Sequence, residues 1–286
     1  MDVQRFPPPS MMPPLPQAFL RDVDISNANV LHISQSLYFQ NDSIPIPDQN
    51  NFIDVDLVQR IVQVVPKSIG VFVTTVTECW VRPAINRTAH GSGNLLCTAT
   101  SVSLILGVLK EAVTPFRDDK FHVDGTERTS KRQRRLNNAA PDKVLEVSTS
   151  PNQALLYRLG SGDYNKIHVA GSSLLPDGPI LHGLCTLGIA TNACLRYLEG
   201  TGADYTQVRA KCIRAKFTAP VQVGSSLTIS IWVNDQFQYV RKKKSVKGLC
   251  VLEFRVRCEE KVVVDGGCIE IEAVYMTQDS SMTSKL

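Results

Sequence analysis

Two hydrophobic patterns occur along the chain, and together they predict strands and one long helix. Segments 71–81 and 95–106 are rich in β-branched residues, which favour strands, and the glycine-containing segment 87–93 between them predicts a hairpin turn. The apolar stripe in 52–65 fits either a helix or the start of a strand. Alternating apolar and polar residues predict further strands over 211–217, 226–233, 249–258 and 261–275.

A helix is predicted to begin near His182, because small and apolar residues then recur at helical spacings. These residues are Leu184, Leu187, Gly188, Thr191, Cys194, Leu195 and Leu198. Gly200 and Gly202 mark its end. One buried helix followed by antiparallel strands predicts an α+β fold, in which a curved sheet wraps around the helix.

The composition is that of a globular protein and restricts the function only weakly. Of the 286 residues, 43% are hydrophobic and 20% are charged, and the formal net charge is +4. This mild excess suits anionic small ligands as well as nucleic acid. No apolar run reaches the about 18 residues of a membrane-spanning helix, so we expect no membrane partner. The eight cysteines include no Cys-x-x-Cys motif, and we interpret them as small buried hydrophobic residues.

Changes in composition divide the chain into five predicted segments. Residues 1–21, with six prolines in the first sixteen positions, are expected to form a proline-rich disordered arm, and the N-terminus lacks the apolar core of a secretory signal. Residues 22–116 and 141–275 are predicted to be two globular halves. The basic segment 117–140, which contains RTSKRQRR, is interpreted as a linker.

Two alternatives remain for the basic segment, a nuclear-localisation or nucleic-acid patch and a basic rim that faces an anionic ligand. No aromatic residue lies within RTSKRQRR for stacking on bases, so we expect no nucleic-acid partner. The tail 276–286 ends in Ser284-Lys285-Leu286, which matches the peroxisomal import signal. The sequence therefore predicts a peroxisomal location and an import receptor as a partner.

Acid–base chemistry is predicted for a glycine-rich loop. Asp163, Asn165 and His168 lie within six residues of one another in the sequence, and a carboxylate with an imidazole can act as general acid and base. Gly183 lies where the predicted helix begins, and the amides of a helix N-terminus have no partner within the helix. Such an amide is suited to bind a developing oxyanion.

Three stretches then resemble one known family. PDKVLEVSTSPNQALLYRLGSGDYNKIH (141–168) resembles the start of the catalytic half of hydratase 2, the MaoC-like (R)-specific enoyl-CoA hydratases of peroxisomal fatty-acid β-oxidation. PILHGLCTLG (179–188) resembles the motif that opens their helix, and RAKFTAPVQVGSSLTISIW (214–232) resembles the strands that follow. The resemblance covers roughly 141–275 and implies a double hot dog, in which the first half is non-catalytic and shapes the acyl pocket.

The resemblance also implies a role for each residue of the loop. Asp163 and His168 match the pair that activates water for addition to a trans-2-enoyl-CoA, which gives a (3R)-3-hydroxyacyl-CoA or, in reverse, a dehydration. Asn165 matches the asparagine that holds this water, and the Gly183 amide matches the group that binds the thioester oxygen. No metal and no cofactor are expected, since acyl-CoA is the substrate.

The loop departs from the family pattern at three places. It is one residue longer before Asp163, Lys166 replaces the usual proline, and the segment from His168 to Pro179 is about three residues shorter than the family's. Within fatty-acid or specialised polyketide or toxin acyl metabolism, these changes suggest a specialised acyl chain, as in a secondary-metabolite pathway, rather than bulk β-oxidation.

Further candidate substrate contacts come from one histidine and a row of cations. They are His182, Arg209, Lys211 and Arg214. The cations could meet the phosphates of CoA or form an ordinary solvated face, and His182 could instead cap or pack. Alternative functions are a non-catalytic acyl-CoA-binding hot dog and a hot-dog thioesterase, and pairing of sheet edges would give a homodimer.

Overall fold

A computed structural model of the chain describes residues 29–40, 55–81, 94–108, 113–119, 121, 139–170, 177–200, 207–240 and 245–276. The strands are β1 (Asn29–Phe39), β2 (Val55–Lys67), β3 (Gly70–Val81), β4 (Asn94–Leu106), β5 (Phe116–Arg117), β6 (Lys143–Ser148), β7 (Gln207–Phe217), β8 (Ser226–Val240), β9 (Ser245–Cys258) and β10 (Lys261–Met276). The helices are α1 (Gln153–Ser161) and α2 (Gly183–Gly200), with a 3-10 turn at Lys166–His168.

The described strands form one antiparallel sheet in the order β5-β2-β3-β4-β1-β7-β10-β9-β8-β6. Its two halves repeat one arrangement, because β1-β4-β3-β2 and β7-β10-β9-β8 follow the chain in the same order. They join where β1 pairs with β7, from Ser34 opposite Lys216 to Tyr38 opposite Cys212. This repeated sheet, with α2 packed against its second half, confirms the predicted α+β double hot dog.

The core of the second half lies between α2 and the strands behind it. Fully buried Leu227, Ile229 and Ile231 of β8 pack in one cluster with Ala190 and Cys194 of α2. Each large apolar side chain that is buried contributes roughly 1.5–3 kcal/mol. This packing keeps the N-terminus of α2, where Gly183 lies, in a constant position relative to the sheet.

The buried face of α2 differs in part from the predicted stripe. Leu187, Cys194 and Leu198 are buried as expected, but Gly188 and Leu195 are exposed. Ala190 and Ala193 are buried in their place. The prediction of the face was wrong at these positions, because the small residues of this helix fit either side and the sheet selects the side.

Most strand predictions are confirmed by the structure. Segments 71–81, 95–106, 211–217, 226–233, 249–258 and 261–275 all lie in strands, and the ambiguous segment 52–65 contributes to strand β2.

All eight cysteines are free, and six of them are buried. The predicted hairpin at 87–93 lies outside the described residues, as do the arm 1–21 and most of 117–140, so the five segment boundaries stay predictions. Neither described helix has the length and apolar character needed to cross a membrane.

Candidate active site

The loop that carries the predicted acid–base residues begins at the end of α1. Gly162 adopts a left-handed conformation (φ 70°) and its amide donates to the Arg158 carbonyl, which ends the helix. A left-handed residue at this position is usually glycine because a Cβ is unfavourable there. The Asp163 amide then donates to Ser161 Oγ over 3.2 Å. The chain therefore turns sharply and directs the loop towards α2.

Short-range hydrogen bonds shape the loop around Asp163 and Asn165. Asp163 Oδ1 accepts from the Asn165 amide over 3.1 Å, and Asn165 Oδ1 accepts from the Ile167 amide at 3.4 Å. Asn165 thus caps the 3-10 turn on which His168 lies. Asp and Asn favour such local bonds to the backbone. These bonds determine the spacing between the Asp163 carboxylate and the His168 imidazole.

Asp163, His168 and His182 converge on one place. One nitrogen or oxygen atom from each side chain lies within 4.8 Å of those of the other two. The rings of His168 and His182 stack, with centroids 3.6 Å apart and 23° between their planes. Both rings are buried, with 8% of His168 and 2% of His182 exposed. The structure therefore brings the predicted acid–base pair together and places His182 beside it.

Hydrogen bonds determine which nitrogen of His168 is basic. Nδ1 lies 2.8 Å from the Ile180 carbonyl oxygen. Because a carbonyl only accepts, Nδ1 carries the proton and Nε2 keeps its lone pair in the neutral ring. His182 Nε2 lies 3.4 Å from the Asp163 backbone carbonyl, while its buried Nδ1 has no partner among the described residues. His168 is thus in the tautomer that a general base requires.

Burial keeps both imidazoles neutral. It lowers the pKa of His168, and the hydrogen bond to Ile180 and the charge of Asp163 oppose that shift only in part. Burial also lowers the pKa of His182 to about 4, and the adjacent His168 adds to the effect. The positive charge of Arg158 lowers both pKa values further. Near neutral pH, His168 can therefore accept a proton.

Gly183 follows His182 directly and is the first residue of α2. Its amide has no acceptor within the helix, and the helix dipole adds partial positive charge at this end. A Cβ at this position would lie 3.1 Å from the ring of Phe217. Glycine therefore allows the ring to pack directly against the backbone, next to the acid–base cluster. The role of this amide as an oxyanion donor stays a prediction.

Comparison with known proteins identifies the domain that carries this site. A family model described as MaoC like domain matches residues 134–253. Peroxisomal multifunctional enzyme type 2 of Drosophila melanogaster is 30% identical over 216 residues, 74% of this chain and 31% of the relative. Enoyl-CoA hydratase 2, peroxisomal, of Arabidopsis thaliana is 35% identical over 149 residues, 50% of this chain and 45% of the relative. Residues 134–253 are therefore a MaoC-like domain.

A solved structure of a MaoC-like dehydratase from Phytophthora capsici is similar over most of the chain. It is 25% identical with a TM-score of 0.51, and the alignment covers 88% of this chain and 72% of that one. The chain spans less than half the length of the two curated relatives named above. The similarity thus extends over most of the fold, while the activity of the whole protein is a separate question.

The longer loop of this MaoC-like domain is accommodated where α1 ends. Gly160 and Ser161 continue the helix, and Gly162 turns the chain before Asp163. Lys166, which replaces the family's proline, begins the 3-10 turn and is exposed. The convergence of Asp163 with His168 is retained despite both changes. The shortened segment lies partly at 171–176, outside the described residues.

The atoms of Asp163, His168 and His182 are close enough to consider a metal ion, but the two rings are oriented against it. A tetrahedral zinc site needs ligand lone pairs that point to one centre. In stacked rings, the lone pairs lie in two nearly parallel planes and do not readily converge on one centre. Proton transfer fits this cluster better than metal coordination does, and the expectation of a site without metal stays a prediction.

Two of the predicted cation contacts lie in ion pairs with β10. Lys211 Nζ is 3.0 Å from Glu272 Oε2, and an Arg214 guanidinium nitrogen is 3.2 Å from Glu270 Oε1. Arg209 is exposed on the same strand, β7. The structure thus shows carboxylate partners for Lys211 and Arg214, and the role of the row in binding CoA phosphates stays a prediction. His182 belongs to the acid–base cluster rather than to this row.

Sequence reasoning missed two residues that influence the site. Arg158 lies over the ring of Tyr164, 4.5 Å from its centroid, and acts electrostatically on both histidines. His32 of β1 lies within electrostatic range of Asp163. Arg158 could have been found, because it belongs to the quoted motif. His32 is 131 positions before Asp163 and has no local signal.

Proposed function

We propose that the chain adds water reversibly to the C2=C3 bond of trans-2-enoyl-CoA thioesters and forms (3R)-3-hydroxyacyl-CoA. The convergence of Asp163 and His168 beside the first amide of α2 carries this proposal. The MaoC-like domain at residues 134–253 supports it. Relatives from Dictyostelium discoideum and Mycobacterium tuberculosis are named probable enoyl-CoA hydratase 2 and 3-hydroxyacyl-thioester dehydratase Y.

The chemistry needs a base for water and a group that stabilises negative charge. His168 Nε2 takes a proton from a water molecule, which Asp163 and Asn165 orient, while the oxygen of that water bonds to C3. The electrons of the double bond move to the thioester oxygen, where the Gly183 amide stabilises the enolate. The proton that His168 took from the water is then delivered to C2, which completes the addition. Water is therefore the sole co-reactant. The reverse sequence is the dehydration.

The expected contributions are large enough to identify by mutation. Loss of one oxyanion donor costs about 3–4 kcal/mol in the barrier, and a positioned acid–base group contributes typically about 10²–10⁴-fold in rate. Proline at position 183 would remove the amide N–H but would also add a ring where Phe217 packs, so the position of the amide is better changed through its neighbours.

Purified protein tests the proposal with crotonyl-CoA and longer 2-enoyl-CoA thioesters. We expect loss of the absorbance of the conjugated thioester, formation of the 3R alcohol, and no release of free thiol. Binding of acyl-CoA without turnover would instead support a non-catalytic hot dog, and release of thiol would support a thioesterase. Either outcome would contradict the hydratase proposal.

We also propose that the protein functions in peroxisomes, in fatty-acid or specialised polyketide or toxin acyl metabolism. The C-terminal Ser284-Lys285-Leu286 sequence supports this location, and several relatives are named peroxisomal. A fluorescent protein fused to the N-terminus should enter peroxisomes, and removal of the last three residues should leave it outside. The same location for both fusions would contradict the proposal.

A homodimer is a further proposal that rests on the edges of the sheet. β6 is the outer strand of the second half among the described residues, and its Val144 is 48% exposed. Light scattering after size-exclusion chromatography would measure the mass. A monomer at micromolar concentration would contradict the proposal.

A further inference from the structure

A strand of the first half reaches the catalytic loop of the second half. Asn165 Nδ2 donates a 2.8 Å hydrogen bond to the carbonyl oxygen of Val30, in β1. The other side-chain atom of Asn165 caps the turn on which His168 lies. The loop is therefore anchored to a strand that is 135 positions away in the sequence. The first half therefore holds the catalytic loop in position, in addition to its expected role in shaping the acyl pocket.

Two residues after Val30, the same strand contacts the oxyanion end of the site. The ring of His32 lies 5.1 Å from the ring of Phe217, centroid to centroid, at an angle of 57°. Phe217 in turn packs against Gly183 so closely that a Cβ on that glycine would be 3.1 Å from the ring. His32 thus supports the side chain that covers the oxyanion glycine.

His32 is held by its own strand and is uncharged. Its Nε2 lies 3.0 Å from the Ser34 carbonyl, across an irregularity in the pairing of β1 with β4. Because that oxygen can only accept, Nε2 carries the proton. Burial lowers the pKa of His32 to about 4, against the opposing charge of Asp163. A neutral ring can pack on Phe217 without competing for the Asp163 carboxylate.

We propose that His32 is a positioning residue of the active site, which acts through Phe217 to hold the Gly183 amide where the thioester oxygen gains negative charge. This inference rests on the proposed hydratase function and extends it, since it gives the first half a part in stabilising the enolate. A displacement of about 1 Å at such a donor can lower the rate about 10²-fold. A ring that supports Phe217 is therefore expected to affect kcat more than KM.

The experiment compares His32→Ala, which removes the ring, with His32→Phe, which keeps a ring but removes the bond to Ser34. Leu37→Ala is the matched control, because Leu37 lies on the same strand opposite Ile213 and outside the site. For each protein, kcat and KM are measured with crotonyl-CoA. The enolate absorbance of bound acetoacetyl-CoA is recorded as well, because it reports the oxyanion donor without turnover.

We expect His32→Ala to lower kcat about tenfold, with KM changed less than about twofold, and to lower the enolate fraction. His32→Phe should recover most of both. Leu37→Ala should lower the melting temperature and leave kcat and the enolate signal unchanged. Unchanged kcat and enolate in His32→Ala, equal losses in Leu37→Ala, or unfolding of both His32 variants would overturn the inference. A wild-type protein that forms the enolate but hydrates nothing would contradict only the proposed function.

Discussion

The imidazole rings of His168 and His182 stack 3.6 Å apart, and both are buried. Two such rings cannot readily carry charge together, because like charges repel strongly where solvent is excluded. The stack therefore favours neutral imidazoles. This relationship connects the tautomer of His168, the lowered pKa values and the expected dependence of activity on pH.

The first prediction concerns the acid limb of the pH–rate profile. His168 acts as a base only when neutral, and its pKa is lowered, so activity should be lost as the pH falls through a value below the usual 6.5. Arg158→Gln removes a cation that lowers this pKa and should shift the limb to higher pH. Profiles of kcat/KM for both proteins test this, and a shift to lower pH in the variant would contradict the electrostatic account.

The second prediction concerns stability. The folded pKa of His182, about 4, lies below its unfolded value of 6.5, so the unfolded chain binds more protons between these values. The free energy of unfolding should therefore decrease as the pH falls from 6.5 to 4, by up to about 3 kcal/mol from this residue. Urea unfolding of wild type and His182→Gln at pH 7 and pH 4.5 measures it. An equally large decrease in the variant would be evidence against this role of His182.

The third prediction separates the role of Gly183 from that of an ordinary helical glycine. Gly183→Ala places a Cβ 3.1 Å from the Phe217 ring, so the ring or the start of the helix must shift slightly and kcat should decrease, by less than the about 10²-fold of a 1 Å displacement. Gly188→Ala is the matched control in the same helix, because its Cβ would meet nothing within 4 Å. That variant should keep full activity and gain about 0.5–1 kcal/mol in stability. Equal activity of the two variants would argue against the oxyanion role.

The fourth prediction concerns the anchor between the two halves. Asn165→Ala removes the hydrogen bond to Val30 together with the cap of the 3-10 turn and the proposed contact to water, and should lower stability by about 1 kcal/mol and kcat about tenfold. Asn152→Ala is the control, since Asn152 precedes α1 and its side chain makes no capping hydrogen bond. Thermal unfolding and initial rates compare the two. If Asn165→Ala behaves like Asn152→Ala in both, the anchor has no function.

Local patterns predicted the elements and the loop because both are encoded by neighbouring residues. Alternation located the long strands, and glycine with Asp163, Asn165 and His168 located the acid–base loop. The side of α2 that is buried depends on the sheet, so Gly188 and Leu195 were misplaced. His32 and Val30 could not be predicted, since they reach the site only after β1 pairs with β7. The carboxylate partners of Lys211 and Arg214 likewise depend on the register of β10.

The initial rate of crotonyl-CoA hydration by Asp163→Asn and His168→Ala tests the central claim most directly. Lys166→Gln is the control, because Lys166 is exposed on the same loop. The account predicts that each catalytic variant loses at least about 10²-fold in kcat while it stays folded, and that the control keeps the wild-type rate. Wild-type rates in both catalytic variants would contradict it.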